Sequence, residues 1–342
     1  MAEIIQKAIN RLIEGKNLTR NESKRVMKII MRGEATEAQI SAFLVALRMK
    51  GETVEEVTGA VEAMKDDATH IKSTYKNIVD TCGTGGDSLN TFNISTAAAF
   101  VAAGAGVAVA KHGTRSVSSK CGSSDVLTAL WVNIDIPPEM MEECLYEVGI
   151  SFLFAKKLKT SMPYAMGPRM EIGARTIFNI LGPLTNPART KRQLVGVYEI
   201  KLVRLVVEVL KELGAVQTMA VHGLEGIDEI SISGPTKVCE MVDGVIYEYQ
   251  IRPENFKIQS APLQAIQTNA ASKNKKILLN VLKGEPSPAL DVVLLNAGAA
   301  IKVSGKVNSL WDGVLLARES ITSGNALDKL NKLKKFTNRV IV

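Results

Sequence analysis

The first 68 residues of the chain show the apolar spacing of helices, interrupted by helix-start signals. Each signal is a threonine followed three residues later by glutamate or glutamine, which is the pattern of a capping box. The three capping boxes are Thr19–Glu22, Thr36–Gln39 and Thr53–Glu56. The pattern therefore predicts a small all-helical domain at residues 1–68.

Beyond about residue 75, short apolar runs alternate with helical stretches. The runs that we interpret as strands are 77–81, 107–110, 150–154, 194–198 and 216–222. Strands that alternate with helices are typical of a largely parallel sheet covered by helices. Two late helices are predicted at about 287–303 and 308–323. The fold class is therefore α/β, with a larger domain at 75–342 whose mostly parallel central sheet is flanked by helices.

Composition adds mostly negative information. The 342 residues permit two domains with a sizeable core, and the 46% hydrophobic content indicates a soluble globular protein. No apolar run is long enough to span a bilayer, and the N-terminus, with acidic Glu3, has no signal-peptide core. The four cysteines, Cys82, Cys121, Cys144 and Cys239, form no CxxC pair. We therefore expect free thiols in a reducing cytoplasm and not a zinc site.

The net charge of +7 is concentrated near the C-terminus. The basic residues of that tail are Lys329, Lys332, Lys334, Lys335 and Arg339. A solvated helix face explains such a run, and no aromatic stacking platform lies beside it. Nucleic acid is therefore an unlikely partner on sequence grounds.

The most informative stretch is the glycine-rich loop GTGGDSLNTFNIST at 83–96. Three of its residues lack Cβ and allow the backbone close to a ligand: Gly83, Gly85 and Gly86. Asn93, Ser95 and Thr96 precede a small-residue helix, whose N-terminus offers N–H donors to phosphate. Asp87 fits a ribose hydroxyl or a magnesium-bound water. The alternative is a tight strand-to-helix turn with an Asp cap, but the length of the motif favours a phosphate site.

A basic loop, KHGTRSVSS at 111–119, follows a short apolar strand. Its cations are Lys111, Arg115 and the adjacent Lys120, and its hydroxyls are Ser116, Ser118 and Ser119. Cations and hydroxyls at this density suit a pyrophosphate or a sugar phosphate. A solvated charged loop is the alternative, although it does not account for the strand that leads into it.

Asp228 and Glu229 form a third candidate cluster, after a predicted strand. Mg²⁺ uses few protein carboxylates and keeps phosphate oxygens and waters as its other ligands. Such a pair alone is usually surface charge. The independent indication of a phosphate pocket favours a magnesium site here.

Four segments together resemble the anthranilate phosphoribosyltransferase family. They are GTGGD with TFNISTAAAF, KHG-RSVSS, RTIFNILGPLTNP at 175–187, and the Asp228–Glu229 pair. The resemblance covers essentially the whole chain. It implies transfer of phosphoribose from phosphoribosyl pyrophosphate to the amine of anthranilate with Mg²⁺, in tryptophan biosynthesis. It also implies a homodimer, and a small domain in which the early helices pack with helices from a later segment.

The resemblance assigns residues to each part of the site. The donor-binding residues would be Gly83, Gly85, Gly86, Asp87, Ser88, Thr91, Asn93, Ser95, Thr96, Lys111 and Ser119. The acceptor-binding residues would be Gly83, His112, Thr114, Arg169 and Pro183. The residues that contact Mg²⁺, directly or through water, would be Ser95, Asp228 and Glu229. No residue stands out as a dedicated acid or base, because an aromatic amine already has a free lone pair, and His112 would position the acceptor.

Three departures from the family pattern fall on the acceptor side. Thr114 replaces the usual Asn, Trp131 replaces the usual Gly, and Lys159 replaces a His within the altered segment 156–168. The donor side keeps the pattern. Anthranilate is therefore the first choice of acceptor, and another aromatic or nitrogenous acceptor is the alternative. A non-catalytic paralogue that binds nucleic acid is less favoured, because GTGGD and the acidic pair are intact.

Overall fold

Four helices form the N-terminal region, as the capping boxes predict. The structure, a computed structural model, describes residues 2–114, 121–158, 163–268 and 270–339. The N-terminal helices are α1 (Ala2–Ile13), α2 (Arg20–Met31), α3 (Glu37–Lys50) and α4 (Val54–Asp67). All three capping boxes form: each threonine accepts a hydrogen bond from the backbone N–H three residues on, and that residue's side chain accepts one from the threonine N–H.

The sheet has seven strands in the described part of the chain. They are β1 (Ile78–Asp80), β2 (Ala108–Gly113), β3 (Ile150–Phe154), β4 (Arg192–Gly196), β5 (Gln217–Gly223), β6 (Thr236–Val242) and β7 (Val245–Ile251). Their order is β3-β2-β1-β4-β5-β6-β7. The first five strands are parallel, which confirms the prediction, and β6 and β7 add an antiparallel hairpin that the sequence interpretation missed.

Ten further helices connect and cover the strands in the described ranges. They are α5 (Ile94–Gly104), α6 (Ser123–Ala129), α7 (Pro138–Val148), α8 (Pro163–Ile172), α9 (Phe178–Leu184), α10 (Leu202–Glu212), α11 (Ala271–Leu282), α12 (Pro288–Val303), α13 (Leu310–Thr322) and α14 (Asn325–Thr337). The two late helices predicted from sequence correspond to α12 and α13. Nowhere in the described ranges is a helix both long and apolar enough to cross a membrane.

Two hydrophobic cores divide the helices. The N-terminal helices share one core with α8, α9 and α10, whereas α12, α13 and α14 share the other with α5 and the strands β1 to β3. The early helices therefore pack with helices from a later segment, α8 to α10, and not with the late helices α12 and α13. The physical reason is that α12 is buried around nearly its whole circumference and needs an enclosed position. Gly298 on α12 and Gly313 on α13 let these two helices approach closely, because a Cβ built on Gly313 would lie 2.3 Å from the Gly298 oxygen.

Candidate functional site

The candidate site lies where the strand order reverses. β1 pairs with β2 on one side and β4 on the other, and all three strands are parallel, so their carboxyl ends share one edge of the sheet. Such a reversal opens a crevice at the carboxyl ends of parallel strands. The glycine loop leaves β1 at this point, the basic loop leaves β2, and the acidic pair follows β5 a short distance away.

The glycine loop bends tightly against the end of β4. Gly85 and Gly86 have φ of +63° and +80°, which residues with a Cβ rarely adopt. The Thr84 N–H donates to the Gly196 oxygen at 2.8 Å. A Cβ on Gly83 would lie 3.0 Å from the same oxygen and 3.4 Å from Asp228 Oδ2. The absence of a side chain at Gly83 therefore allows the loop, β4 and the acidic pair to meet.

Asp87 faces Asp228 across this junction. One Asp87 oxygen accepts a hydrogen bond from the Leu89 N–H at 3.0 Å. The other oxygen is buried and, when Asp87 and Asp228 are both ionised, has no hydrogen-bond partner among the described residues. Burial, and then the charge of Asp87 and a hydrogen bond with it, raises the pKa of Asp228 to about 8. A proton on Asp228 supplies the donor that Asp87 lacks. Without a cation, the pair therefore holds a proton between two carboxylates.

Glu229 completes the acidic cluster beside the start of α5. Burial and the Asp228 charge raise the pKa of Glu229, against the opposing effect of Lys111. The Ser95 backbone N–H, in the first turn of α5, also favours the ionised Glu229 carboxylate. Lys111 Nζ donates to Ser95 Oγ at 3.2 Å. A buried ammonium, a helix N-terminus and three carboxylates thus meet in one place.

These residues fit a magnesium ion. Repulsion among the carboxylates and the orphaned Asp87 oxygen would both be relieved by a divalent cation. In the ranges that the structure describes, no group of three or more His, Cys, Asp or Glu side chains is arranged to enclose a metal on its own. Mg²⁺ takes one or two protein carboxylates together with substrate phosphates, and Asp228 and Glu229 offer two.

The other predicted donor residues occupy different positions around the loop. Ser88 is exposed with φ of +62°, and Thr91 pairs with Gln267 in an isolated bridge. Asn93 makes no capping bond with its side chain, and exchanges hydrogen bonds with Asn274 instead. Thr96 is buried and, with Lys111, lines a cavity of about 10 Å³. Ser119, with Arg115 and Lys120, lies outside the described residues.

A buried network that the sequence interpretation missed supports the site from below. Asp80, at the end of β1, accepts hydrogen bonds from the N–H groups of Cys82 and His112 at 3.0 and 3.2 Å. Its other oxygen accepts Asn186 Nδ2 at 2.7 Å. Burial raises the pKa of Asp80 to about 6, although the nearby Lys111 charge opposes the shift. A carboxylate as the last residue of a short buried strand was the available signal for this network.

Among the predicted acceptor residues, His112 lies on β2, Arg169 on α8 and Pro183 on α9. His112 is buried, and its Nδ1 lies 3.2 Å from the Gly182 oxygen. Since a carbonyl only accepts, Nδ1 carries the proton, and burial lowers the His112 pKa to about 4, so the ring is neutral. The Pro183 oxygen accepts Gln193 Nε2 at 2.9 Å. Arg169 stacks on Phe178, with 5.3 Å from Cζ to the ring centroid, and burial lowers its pKa.

The three departures from the family pattern have different structural settings. Thr114 is exposed at the end of β2. Its backbone carbonyl oxygen accepts a hydrogen bond from Ser124 Oγ at 3.0 Å. Trp131 follows α6 with φ of +65° and is 73% exposed, a conformation that glycine adopts at lower cost. Lys159 lies outside the described residues.

Comparisons with known proteins identify the class first. Residues 75–327 match the glycosyl transferase family, a/b domain, and residues 6–68 match the glycosyl transferase family, helical bundle domain. The fold and the site described above are therefore those of a two-part glycosyl transferase.

Relatives in sequence and structure narrow the class to one enzyme family. The chain is 51% identical to anthranilate phosphoribosyltransferase of Petrotoga mobilis over 96% of each chain, and 50% identical to that of Alkaliphilus metalliredigens over 99% of this chain and 100% of the relative. It superposes on the Thermus thermophilus enzyme with a TM-score of 0.91 and 39% identity, covering 97% and 99% of the two chains. The chain belongs to the anthranilate phosphoribosyltransferase family, which confirms the resemblance seen in its motifs.

A further solved structure carries ligands. The Saccharomyces cerevisiae enzyme in complex with PRPP (phosphoribosyl pyrophosphate) and Mg has a TM-score of 0.90 and 25% identity, with 99% of each chain covered. The same yeast enzyme has been solved in complex with 4-fluoroanthranilate, with a TM-score of 0.88.

Proposed function

We propose that this chain transfers the phosphoribosyl group of phosphoribosyl pyrophosphate to the amine of anthranilate and releases pyrophosphate. The observation that carries the proposal is the meeting of the Gly83 loop, buried Lys111 and the Asp87–Asp228–Glu229 cluster at one edge of the sheet. An anion site directly beside a cation site is what a magnesium pyrophosphate requires. Family membership supports the same reaction.

The donor site follows from the charges that meet there. We assign the pyrophosphate and the ribose phosphate to the glycine loop, the first turn of α5 and Lys111. Substitution at the anomeric carbon passes through a transition state with oxocarbenium character and leaves charge on the departing pyrophosphate. Fixed donors aimed at that charge lower the barrier because they need no reorganisation during the reaction.

We assign the magnesium site to Asp228, Glu229 and Ser95, with Asp87 as a neighbouring carboxylate. When bound, Mg²⁺ would neutralise charge on the pyrophosphate leaving group. The carboxylates of this chain would hold it directly or through water. Neither Asp228 nor Glu229 would then need the proton that burial and mutual repulsion otherwise favour.

We assign the acceptor to the side formed by β2, α8 and α9. Arg169 offers a planar fork that suits the anthranilate carboxylate. His112, held neutral with its proton on Nδ1, acts as a positioning residue whose Nε2 accepts hydrogen bonds. Thr114 contributes one hydroxyl where the family pattern has an amide. No strong base is required, because the aromatic amine has a free lone pair.

A double substitution tests the magnesium assignment. Asp228→Ala with Glu229→Ala should lower turnover by about 10²–10³-fold at low Mg²⁺, the loss typical of a removed electrostatic contribution to the transition state. Circular dichroism should show an unchanged fold. Asp67→Ala, which removes an exposed carboxylate at the end of α4, is the matched control. Near-wild-type turnover in the double variant would reduce the pair to surface charge and reject the assignment.

We further propose that two copies of the chain associate through the N-terminal helices. α3 packs against both α1 and α8, and large apolar side chains on these helices are more than half exposed: Ile13, Met49, Tyr164 and Met170. Large apolar side chains exposed on helices that pack against one another support an interface on this side of the molecule. Light scattering should give a dimer that Met49→Glu dissociates and that Tyr146→Glu, on the exposed face of α7, leaves intact. A wild-type monomer at micromolar concentration would reject the interface.

We place the protein in the cytoplasm. Cys82, Cys144 and Cys239 are free thiols, and burial raises the pKa of the Cys82 and Cys144 thiols to about 12, which makes them unreactive. Free thiols persist in a reducing compartment. Cell fractionation that recovers the protein outside the cytosolic fraction would reject this assignment.

A further inference from the structure

Arg175 contacts the glycine loop and an aromatic ring beside it. It lies between α8 and α9, and its Nη2 donates a hydrogen bond to the Gly86 oxygen. The same guanidinium lies over the Tyr198 ring, with Cζ 4.3 Å from the centroid. A guanidinium stacked on an aromatic face has few orientations available, so its donor is aimed at the loop.

Tyr198 also contacts the loop, from the other side. Its backbone N–H donates to Thr84 Oγ1 at 3.1 Å, and the Thr84 hydroxyl lies 3.3 Å from the Gly196 oxygen. The loop is thus held at Thr84 by the end of β4 and at Gly86 by Arg175. Tyr198 joins the two holding points.

Gly86 is the position where the loop most needs a restraint. Gly85 and Gly86 both have positive φ, and glycine has more conformational freedom than any other residue. Among the described residues, Arg175 Nε at 4.0 Å is the nearest atom that a Cβ on Gly86 would meet, and no described atom lies within 4 Å of a Cβ on Gly85. The Gly86–Asp87 peptide that Arg175 holds is also the one that directs Asp87 toward Asp228.

Arg175 is anchored on the acceptor side of the site. The next residues, Ile177 and Phe178, are buried in the core that contains the N-terminal helices, and the Thr176 N–H donates to Asn179 Oδ1 at 2.9 Å. The chain segment that carries Arg175 also carries Arg169 and Pro183. A displacement of this segment therefore moves the guanidinium that holds the donor loop.

We propose that Arg175 is a positioning residue for the donor: it fixes the Gly86–Asp87 peptide and couples the order of the donor loop to the segment that binds the acceptor. The inference rests on the proposed function, since it assumes that phosphoribosyl pyrophosphate occupies the loop. Arg175 acts through the loop backbone and is not assigned a contact with the reacting atoms.

Arg175→Met tests this role, because methionine keeps an apolar stem over Tyr198 and loses the donor and the charge. A hydrogen bond to a charged group is worth about 1.5–3 kcal/mol, so the Kd and KM for phosphoribosyl pyrophosphate with Mg²⁺ should rise about ten- to a hundredfold. At saturating donor, kcat should stay within about threefold of wild type, since Arg175 has no assigned contact with the reacting atoms. Arg175→Lys should recover part of the affinity.

A second variant and a control keep the test decisive. Tyr198→Leu removes the stacking face, should weaken donor binding in the same direction, and should be non-additive with Arg175→Met. Arg189→Met, which removes an exposed arginine beside His70, should leave donor affinity unchanged. Unchanged donor Kd in Arg175→Met, with wild type binding normally, would overturn the inference. Loss of kcat with unchanged donor Kd would also overturn it. Failure of wild type itself to bind the donor would instead reject the proposed function.

Discussion

Replacement of Asp228 by Asn should stabilise the metal-free protein while it removes activity. Asp228 lies against Asp87, and burial and that neighbouring carboxylate raise its pKa to about 8. Asparagine has the shape of the protonated acid and can donate from Nδ2 to Asp87, so it keeps the hydrogen bond without an ionisable group. The wild type instead carries a buried acid whose ionised form is favoured only after the chain unfolds.

The expected size of the effect follows from the pKa difference between the two states. An unfolded Asp ionises at about 3.9, so between about pH 4 and pH 8 the unfolded chain has released a proton that the native chain retains. Wild-type stability therefore falls as the pH rises through this window, with a limiting slope of about 1.4 kcal/mol per pH unit. Asp228→Asn lacks this group, and its advantage should grow by up to about 3 kcal/mol between about pH 5 and pH 7.

Denaturant unfolding in the presence of EDTA measures the difference directly. Wild type and Asp228→Asn are compared at both pH values, with Asp67→Asn as a control for loss of an exposed carboxylate on α4. The control should match wild type at each pH. If Asp228→Asn were less stable than wild type, or if its advantage shrank as the pH rose, Asp228 would be ionised and stabilised in the native state. The account of the acidic cluster would then be wrong.

Three further substitutions probe the loop, the cap after α6 and the acceptor side. Gly83→Val should weaken binding of phosphoribosyl pyrophosphate about tenfold or more in calorimetry, because crowding of the Gly196 oxygen and Asp228 typically costs about 1–3 kcal/mol; unchanged affinity would contradict the close approach. Trp131→Gly should raise the free energy of unfolding by about 1 kcal/mol, since a residue with a Cβ is strained at φ of +65°; a lower melting temperature would show that the indole contributes more than the strain costs. Thr114→Asn should change the KM for anthranilate by no more than about tenfold, the worth of one hydrogen bond; a larger change would give Thr114 a greater role.

Local features of the fold were predictable because they depend on neighbours in sequence. The capping boxes at Thr19, Thr36 and Thr53 fix helix starts within a few residues, and each forms as expected. The β6–β7 hairpin also had a local signal, the pair Asp243–Gly244 with φ of +49° and +78°. It was missed because β7 is an edge strand with charged and apolar residues mixed along an exposed face.

The sequence predicted which residues belong to the site, but not which of them contact one another. The glycine loop and the acidic pair were each recognisable as short motifs. The contacts of Asp87 with Asp228, of Asp80 with Asn186 and of Arg175 with Gly86 join residues far apart in sequence. Such contacts depend on the order of the strands, which no local pattern encodes. The packing of α12 against α5 was not predicted for the same reason, since the position of α12 depends on which face of the sheet remains uncovered.

The most direct test of the central claim is to measure pyrophosphate release and anthranilate consumption together in one reaction. Purified protein is incubated with phosphoribosyl pyrophosphate, Mg²⁺ and anthranilate, and each component is omitted in turn. We expect equal molar amounts of pyrophosphate formed and anthranilate consumed, and no reaction when the donor, the acceptor or Mg²⁺ is left out. Donor binding without anthranilate consumption, or pyrophosphate release that does not depend on anthranilate, would contradict it.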